Sequence, residues 1–232
     1  SPVEVDVIDA DGEGFVLRTP TEVVEVSPEG DVQNRFGMPY PVAVGERLDD
    51  GRVALLVQTG DGCALQLPGE RIGVHDGACA VDADLEEADE GLYLATGGRT
   101  FLYDGAVTEL GANDQVSVDP ATGSVFLGSS GASSLDVLIG NSTVEVDLGG
   151  PLVDVAARAG HAIAFTETPE LIRIDAASGA ILDRVAYSGA MDRERVLLGD
   201  NGLSIVLTPA DTGSSYPEVQ FYRVRTDAQM GL

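Results

Sequence analysis

Glu90-Gly91-Leu92-Tyr93-Leu94-Ala95-Thr96 sets a glycine turn directly before a short run that is apolar at successive positions and ends on a hydroxyl. A strand with one wet face alternates apolar and polar residues; one that is apolar throughout has both faces covered. The same pattern recurs in Phe15-Val16-Leu17-Arg18-Thr19, Leu55-Leu56-Val57-Gln58-Thr59, Val125-Phe126-Leu127-Gly128-Ser129, Ile163-Ala164-Phe165-Thr166-Glu167 and Ile205-Val206-Leu207-Thr208-Pro209. Counted from Phe15, the segments start 40, 37, 33, 38 and 42 residues apart, and 42 more lead from Ile205 through the C-terminus back to Phe15. A glycine precedes each one: Asp11-Gly12, Asp50-Gly51, Thr122-Gly123, Ala159-Gly160 and Asn201-Gly202 complete the set. Such pairs supply the positive φ of tight hairpins, and only Ala159-Gly160 lacks a polar first residue.

Each apolar run is followed by a second strand, as in Glu22-Val23-Val24-Glu25-Val26, Leu135-Asp136-Val137-Leu138-Ile139 and Leu171-Ile172-Arg173-Ile174. A further strand then closes the unit, for example Thr143-Val144-Glu145-Val146. Four short antiparallel strands every ~38 residues form the blade of a propeller. The expected fold is therefore all-β: one six-bladed β-propeller of four-stranded blades spanning residues 1–232. Its blades fall near 1–41, 42–80, 81–113, 114–151, 152–190 and 191–232. The last unit has poor material for a fourth strand, and Val3-Glu4-Val5-Asp6-Val7 is expected to supply it and remove two free sheet edges.

Leu171-Ile172-Arg173-Ile174-Asp175-Ala176-Ala177-Ser178-Gly179-Ala180-Ile181-Leu182 resembles the repeats of bacterial propellers related to the quinoprotein and YVTN-type families. Val118-Asp119-Pro120-Ala121-Thr122-Gly123 is similar at another turn. The resemblance implies the fold. It implies no cofactor, because quinoprotein blades stack their cofactor on tryptophan and this chain has no Trp. The WD dipeptide, the paired glycines of kelch repeats and the YVTN tetrapeptide are also missing.

Charge narrows the partners. Thirty-nine acidic residues against 13 basic ones, all Arg, give a net charge of −26. A field of that sign repels phosphate backbones and anionic lipid headgroups, so nucleic acid is excluded as a partner. No run approaches the ~18 apolar residues of a membrane span. Ser1-Pro2-Val3-Glu4 lacks the basic and apolar regions of a secretory leader, as a mature chain or an excised segment would, so this does not argue against export.

Cys63 and Cys79 flank a hairpin pattern, Ala64 to Leu67, a Pro68-Gly69 turn, then Arg71 to Val74. Two cysteines at this spacing fall short of a metal site, and a disulfide fits better; two buried thiols are the alternative. A disulfide implies an oxidising compartment, extracellular or at the cell surface. His75 and His161 read as surface or turn histidines.

Asp82, Asp84, Glu86, Glu87 and Asp89 form the densest carboxylate stretch and are the candidates for a divalent cation, with a solvated strand as the plainer reading. Asp9-Ala10-Asp11-Gly12 is similar to part of a calcium loop, but Val7 and Arg18 stand where ligands belong. Asn141-Ser142-Thr143 matches a glycosylation sequon in a turn. Phe36, Met38 and Tyr40, with Tyr216, concentrate large side chains in candidate binding loops. With no convergent catalytic set in the sequence, the expected function is non-catalytic: an extracellular recognition or scaffold module binding a protein or a glycan. The alternatives are a metal-dependent hydrolase or lactonase of the six-bladed kind and a structural subunit of a surface assembly.

Overall fold

The glycine-led apolar runs are strands, and each lies second in an antiparallel sheet whose strands follow one another in sequence. The computed structural model describes residues 6–11, 14–19, 22–27, 29–80, 83–168, 170–186, 192–199, 202–208 and 220–224, and among these there is no helix. The first sheet holds β1 (Asp6–Asp11), β2 (Gly14–Arg18), β3 (Glu22–Val26) and β4 (Val32–Gly37). The second holds β5 (Val42–Arg47), β6 (Val53–Thr59), β7 (Gly62–Leu67) and β8 (Glu70–His75). The third holds β9 (Asp84–Ala88), β10 (Gly91–Thr96), β11 (Arg99–Tyr103) and β12 (Val107–Gly111). The fourth has β13 (Gln115–Asp119), β14 (Ser124–Gly128), β15 (Ser134–Ile139) and β16 (Ser142–Asp147). The fifth has β17 (Leu152–Arg158), β18 (His161–Thr166), β19 (Glu170–Asp175) and β20 (Ile181–Ala186). The sixth, with three described strands, has β21 (Asp192–Gly199), β22 (Gly202–Thr208) and β23 (Gln220–Val224).

The chain divides into two compact units, Ser1–Asp114 and Gln115–Leu232, with three sheets in each. Inside the first unit β5 touches both β1 and β9; inside the second, β17 touches both β13 and β21. Neighbouring sheets thus meet along their first strands and pack face to face.

That packing explains why the second strands are apolar throughout. In β6, Leu55 and Val57 point to the first sheet and pack with Val23 and Val42. Ala54 and Leu56 point the other way and join Leu85, Leu92, Leu94 and Phe101 of the third sheet. Period-two alternation still operates, but both faces are dry. In the second unit Phe126, Val137 and Val146 of the fourth sheet meet Val155, Ala164, Ile172 and Ile174 of the fifth. The fourth strands lie outermost: β4 is exposed along its whole length, and β20 is nearly so.

Backbone groups at the sheet ends are satisfied across the sheet boundary. In the turn Asp119-Pro120-Ala121-Thr122-Gly123, the fully buried Asp119 carboxylate accepts Thr122 Oγ1 at 2.7 Å and the Gly160 amide at 3.0 Å. Ser124 Oγ donates to the Ala176 carbonyl at 2.6 Å, and the Ala157 amide donates to Ser117 Oγ at 2.9 Å. Asp175 to Gly179 repeats the turn, with Ser178 Oγ donating to Asp175 at 2.8 Å. Hence the two segments that carried the family resemblance are the same hydroxyl-braced turn at successive sheets.

One expectation is corrected. Asp6 and Val7 pair with Arg18 and Leu17 inside the first sheet and do not complete the last one. A hairpin with the adjacent strand closes a far shorter loop than a pairing across the chain. Val3, Glu4 and Val5 lie outside the described residues.

Ala159 adopts a φ of +55°, the one non-glycine residue with positive φ among those described. Its Cβ costs roughly 1–2 kcal/mol in that conformation. Ala159→Gly should raise stability by about 1 kcal/mol in urea unfolding, and an unchanged or lower value would contradict the strained turn. Leu94→Ala, at a fully buried position shared by two sheets, should cost about 2–5 kcal/mol in the same measurement.

Candidate functional site

The hairpin β7–β8 carries the densest set of tertiary ties in the first unit. Cys63 at the start of β7 is bonded to Cys79, with Cα atoms 4.8 Å apart. Closing a loop of this length contributes roughly 3 kcal/mol in the chain-entropy account. Gln58 fastens the same segment: its Oε1 accepts the Cys79 amide at 2.8 Å and its Nε2 donates to the Thr59 and Gly62 carbonyls. Thr96, from the third sheet, accepts the Ala80 amide on Oγ1 at 2.9 Å and lies 3.9 Å from Cys63 Sγ. The disulfide sulfur has no proton, so the threonine hydroxyl is the donor there.

His75 closes β8 and is half-buried, not the surface histidine expected from its sequence context. Its ring stacks on Phe101 with centroids 5.9 Å apart and planes 10° from parallel. Nδ1 accepts the Gly77 amide at 2.9 Å, so the neutral ring carries its proton on Nε2, which is buried with no hydrogen-bond partner among the described residues. Burial holds the imidazole below its ordinary range, Arg99 lowers it further, and Asp76 opposes both. Phe101 and Arg99 come from the third sheet, which is why the sequence around His75 gave no warning.

Between the Thr59–Gly62 turn and the end of β8 opens a cleft of about 270 Å³. A bulge creates it: Cys63 pairs with His75 and Ala64 with Gly73, leaving Val74 as the extra residue. Ala64, Val74 and Cys63 make its apolar lining, and Asp61 and Asp76 stand exposed at its rim. Neither carboxylate accepts a hydrogen bond or forms an ion pair among the described residues. Two glycines shape the walls. A Cβ on Gly62 would collide with the His75 carbonyl, whereas one on Gly73 would meet nothing within 4 Å. No motif in the sequence pointed to this cleft.

Other candidates disperse. Phe36 is 46% exposed on β4, while Met38 and Tyr40 pack against the Val23–Val57 core and Arg71 lies 4.9 Å over the Tyr40 ring. Tyr216 and Asp82 lie outside the described residues. Asp84 and Glu86 occupy one face of β9, Glu87 the opposite face, and Asp89 the following turn. Glu87 instead accepts the Asp49 amide at 2.6 Å, tying the second sheet to the third. No group of three His, Cys, Asp or Glu among the described residues is placed to hold a metal ion. Asp9, Ala10 and Asp11 are extended in β1, not curled as a calcium loop requires. Asn141 sits exposed in the β15–β16 turn, and His161 Nδ1 lies 3.1 Å from the Ala159 carbonyl.

Sheets of four consecutive strands, stacked face to face along their first strands, specify the architecture, and comparison with solved structures agrees. The fold is a β-propeller. Virginiamycin B lyase from Staphylococcus aureus superimposes with a TM-score of 0.63 over 97% of this chain and 89% of its own, at 11% identity. AztD from Citrobacter koseri gives 0.57 over 94% and 70%, at 15% identity. A propeller in the nidogen/laminin complex gives 0.51 over 78% of each chain, at 13% identity. Likeness at this identity concerns the fold alone. No protein-family model matches the sequence, and no curated protein matches it. No helix among the described residues is long and apolar enough to cross a membrane.

The lowered His75 pKa has a stability consequence. The unfolded imidazole, with a pKa near 6.5, binds protons that the folded one refuses. The contribution is whole above about pH 6.5 and is lost as pH falls through the lower folded value. Stability measured by urea unfolding should therefore decline from pH 7.5 to 5, and His75→Phe, which keeps a stacked ring, should flatten that decline. An equally steep decline in the variant would contradict the assignment.

Proposed function

We propose that the chain, residues 1–232, is one six-bladed propeller, exported to an oxidising compartment, that acts as a non-catalytic recognition module for a protein or glycan partner. The six comparable units, the five four-stranded sheets and the three-stranded sixth support the blade count. The Cys63–Cys79 bond supports the compartment, since such bonds do not persist against cytosolic thiols. The observation that carries the function is the cleft beside β8. A disulfide and a set of cross-sheet hydrogen bonds hold its walls before any ligand arrives, and preorganisation of this kind lowers the entropic cost of binding. At about 270 Å³ it lies below the roughly 300–1,000 Å³ of pockets that enclose a drug-sized ligand or cofactor. It suits one protruding group of a larger partner. The nidogen/laminin structure places a propeller within a protein complex, the same kind of role.

Gly73→Leu tests this reading, because the new side chain projects into open space at the cleft without strain in the backbone. On peptide and glycan arrays the native protein should retain a defined set of ligands, and Gly73→Leu should lose them while keeping its melting temperature. Ligands held equally well by the variant would refute the cleft as the site. A saturable calorimetric response to calcium, magnesium or zinc would replace recognition by metal-dependent hydrolysis.

A further inference from the structure

We propose that the cleft beside β8 takes the positively charged side chain of an arginine or lysine presented by a partner protein. The inference rests on the recognition reading and names the chemistry of what is recognised. Three features of the cleft select a cation. Asp61 and Asp76 stand at its rim with carboxylates that accept no hydrogen bond among the described residues, although each is an acceptor for several. Between them Cys63, Ala64 and Val74 give the cleft an apolar stretch. A long side chain with an aliphatic stem and a charged tip matches that sequence of surfaces. The volume, about 270 Å³, admits one such side chain and little more.

The alternatives fit less well. A phosphate or carboxylate would meet two carboxylates locally and a net charge of −26 at long range. A sugar ring seeks an aromatic platform, and no Phe, Tyr or Trp lines the cleft. Neighbouring cations do not already serve the rim: Arg99 pairs with Glu109 at 3.4 Å, and Arg71 lies over Tyr40. His75, which also lines the cleft, has its Nδ1 occupied as an acceptor for the Gly77 amide and stays neutral there. The whole-protein field adds steering, raising the encounter rate with basic surfaces at low salt.

The experiment is an amide-resolved NMR titration of the whole chain with Nα-acetyl-arginine amide, beside its neutral isostere Nα-acetyl-citrulline amide. With arginine, the amides of Asp61, Gly62, Gly73, Val74 and Gly77 should shift saturably. The citrulline compound should leave them in place. Asp61→Asn and Asp76→Asn, both at exposed positions, should each weaken the arginine response by roughly tenfold, and about 0.5 M salt should suppress it. Equal response to citrulline overturns the cation assignment while leaving a binding cleft, so the recognition reading survives. No response to arginine, with array ligands still shifting these amides, has the same meaning. Silence toward every probe removes both.

Discussion

Burial of both faces of the second strands β6, β10, β14 and β18 is the constraint on which the rest of this structure depends. A sheet with one covered face can stand against solvent; a sheet such as β5–β8, with Leu55 and Val57 on one side and Ala54 and Leu56 on the other, cannot. It must have a neighbour on each side. Within each unit the sheets accordingly pack face to face, β5 between β1 and β9 and β17 between β13 and β21. The hydrophobic contribution is large, on the order of 2–3 kcal/mol for each fully buried leucine or phenylalanine, and it carries no directional information. Register and orientation come from the polar groups at the sheet ends.

Those end groups divide the labour differently in the two units. Between the fourth and fifth sheets the work is done by buried side chains: Ser117 and Asp119 accept the Ala157 and Gly160 amides, and Ser124 donates to the Ala176 carbonyl. A buried carboxylate is tolerable at Asp119 because donors from two sheets converge on it. In the first unit a covalent bond takes over, fastening β7 to the connection that leads to the third sheet, with Gln58 and Thr96 holding the same segment. The cleft lies where that reinforcement is greatest. A braced wall and an exposed rim carboxylate occur together because the same turn, Thr59 to Gly62, braces the hairpin through Thr59 Oγ1 and exposes Asp61 at its tip.

The strands were legible in the sequence because their signal is local. A glycine turn followed by a short apolar run marks β6, β10, β14 and β18 within a residue or two, and the hairpin closed by Cys63 and Cys79 was equally plain. The candidate site was not. His75 owes its burial to Phe101, twenty-six positions further along the chain, and nothing near His75 signals the third sheet. Phe36, Met38 and Tyr40 looked like one cluster, yet the edge strand β4 ends at Gly37: Phe36 stays outside and the other two turn into the core. The acidic run from Asp84 to Asp89 was dense only in sequence. On a strand, successive residues face opposite ways, so Glu87 parts from Asp84 and Glu86, and density along the chain becomes dispersion in space. Asp61 and Asp76, fifteen residues apart, are the pair that topology brings to one cleft.

The measurement that bears most directly on two-sided burial is native-state amide hydrogen exchange resolved by residue. The account expects the interior amides of β6, β10, β14 and β18 to exchange slowest, through global unfolding alone, and the outermost strands β4, β12 and β20 to exchange orders of magnitude faster. Outer strands protected as strongly as the second strands would show that the sheets are covered in some other way, and the stacked arrangement would have to be abandoned.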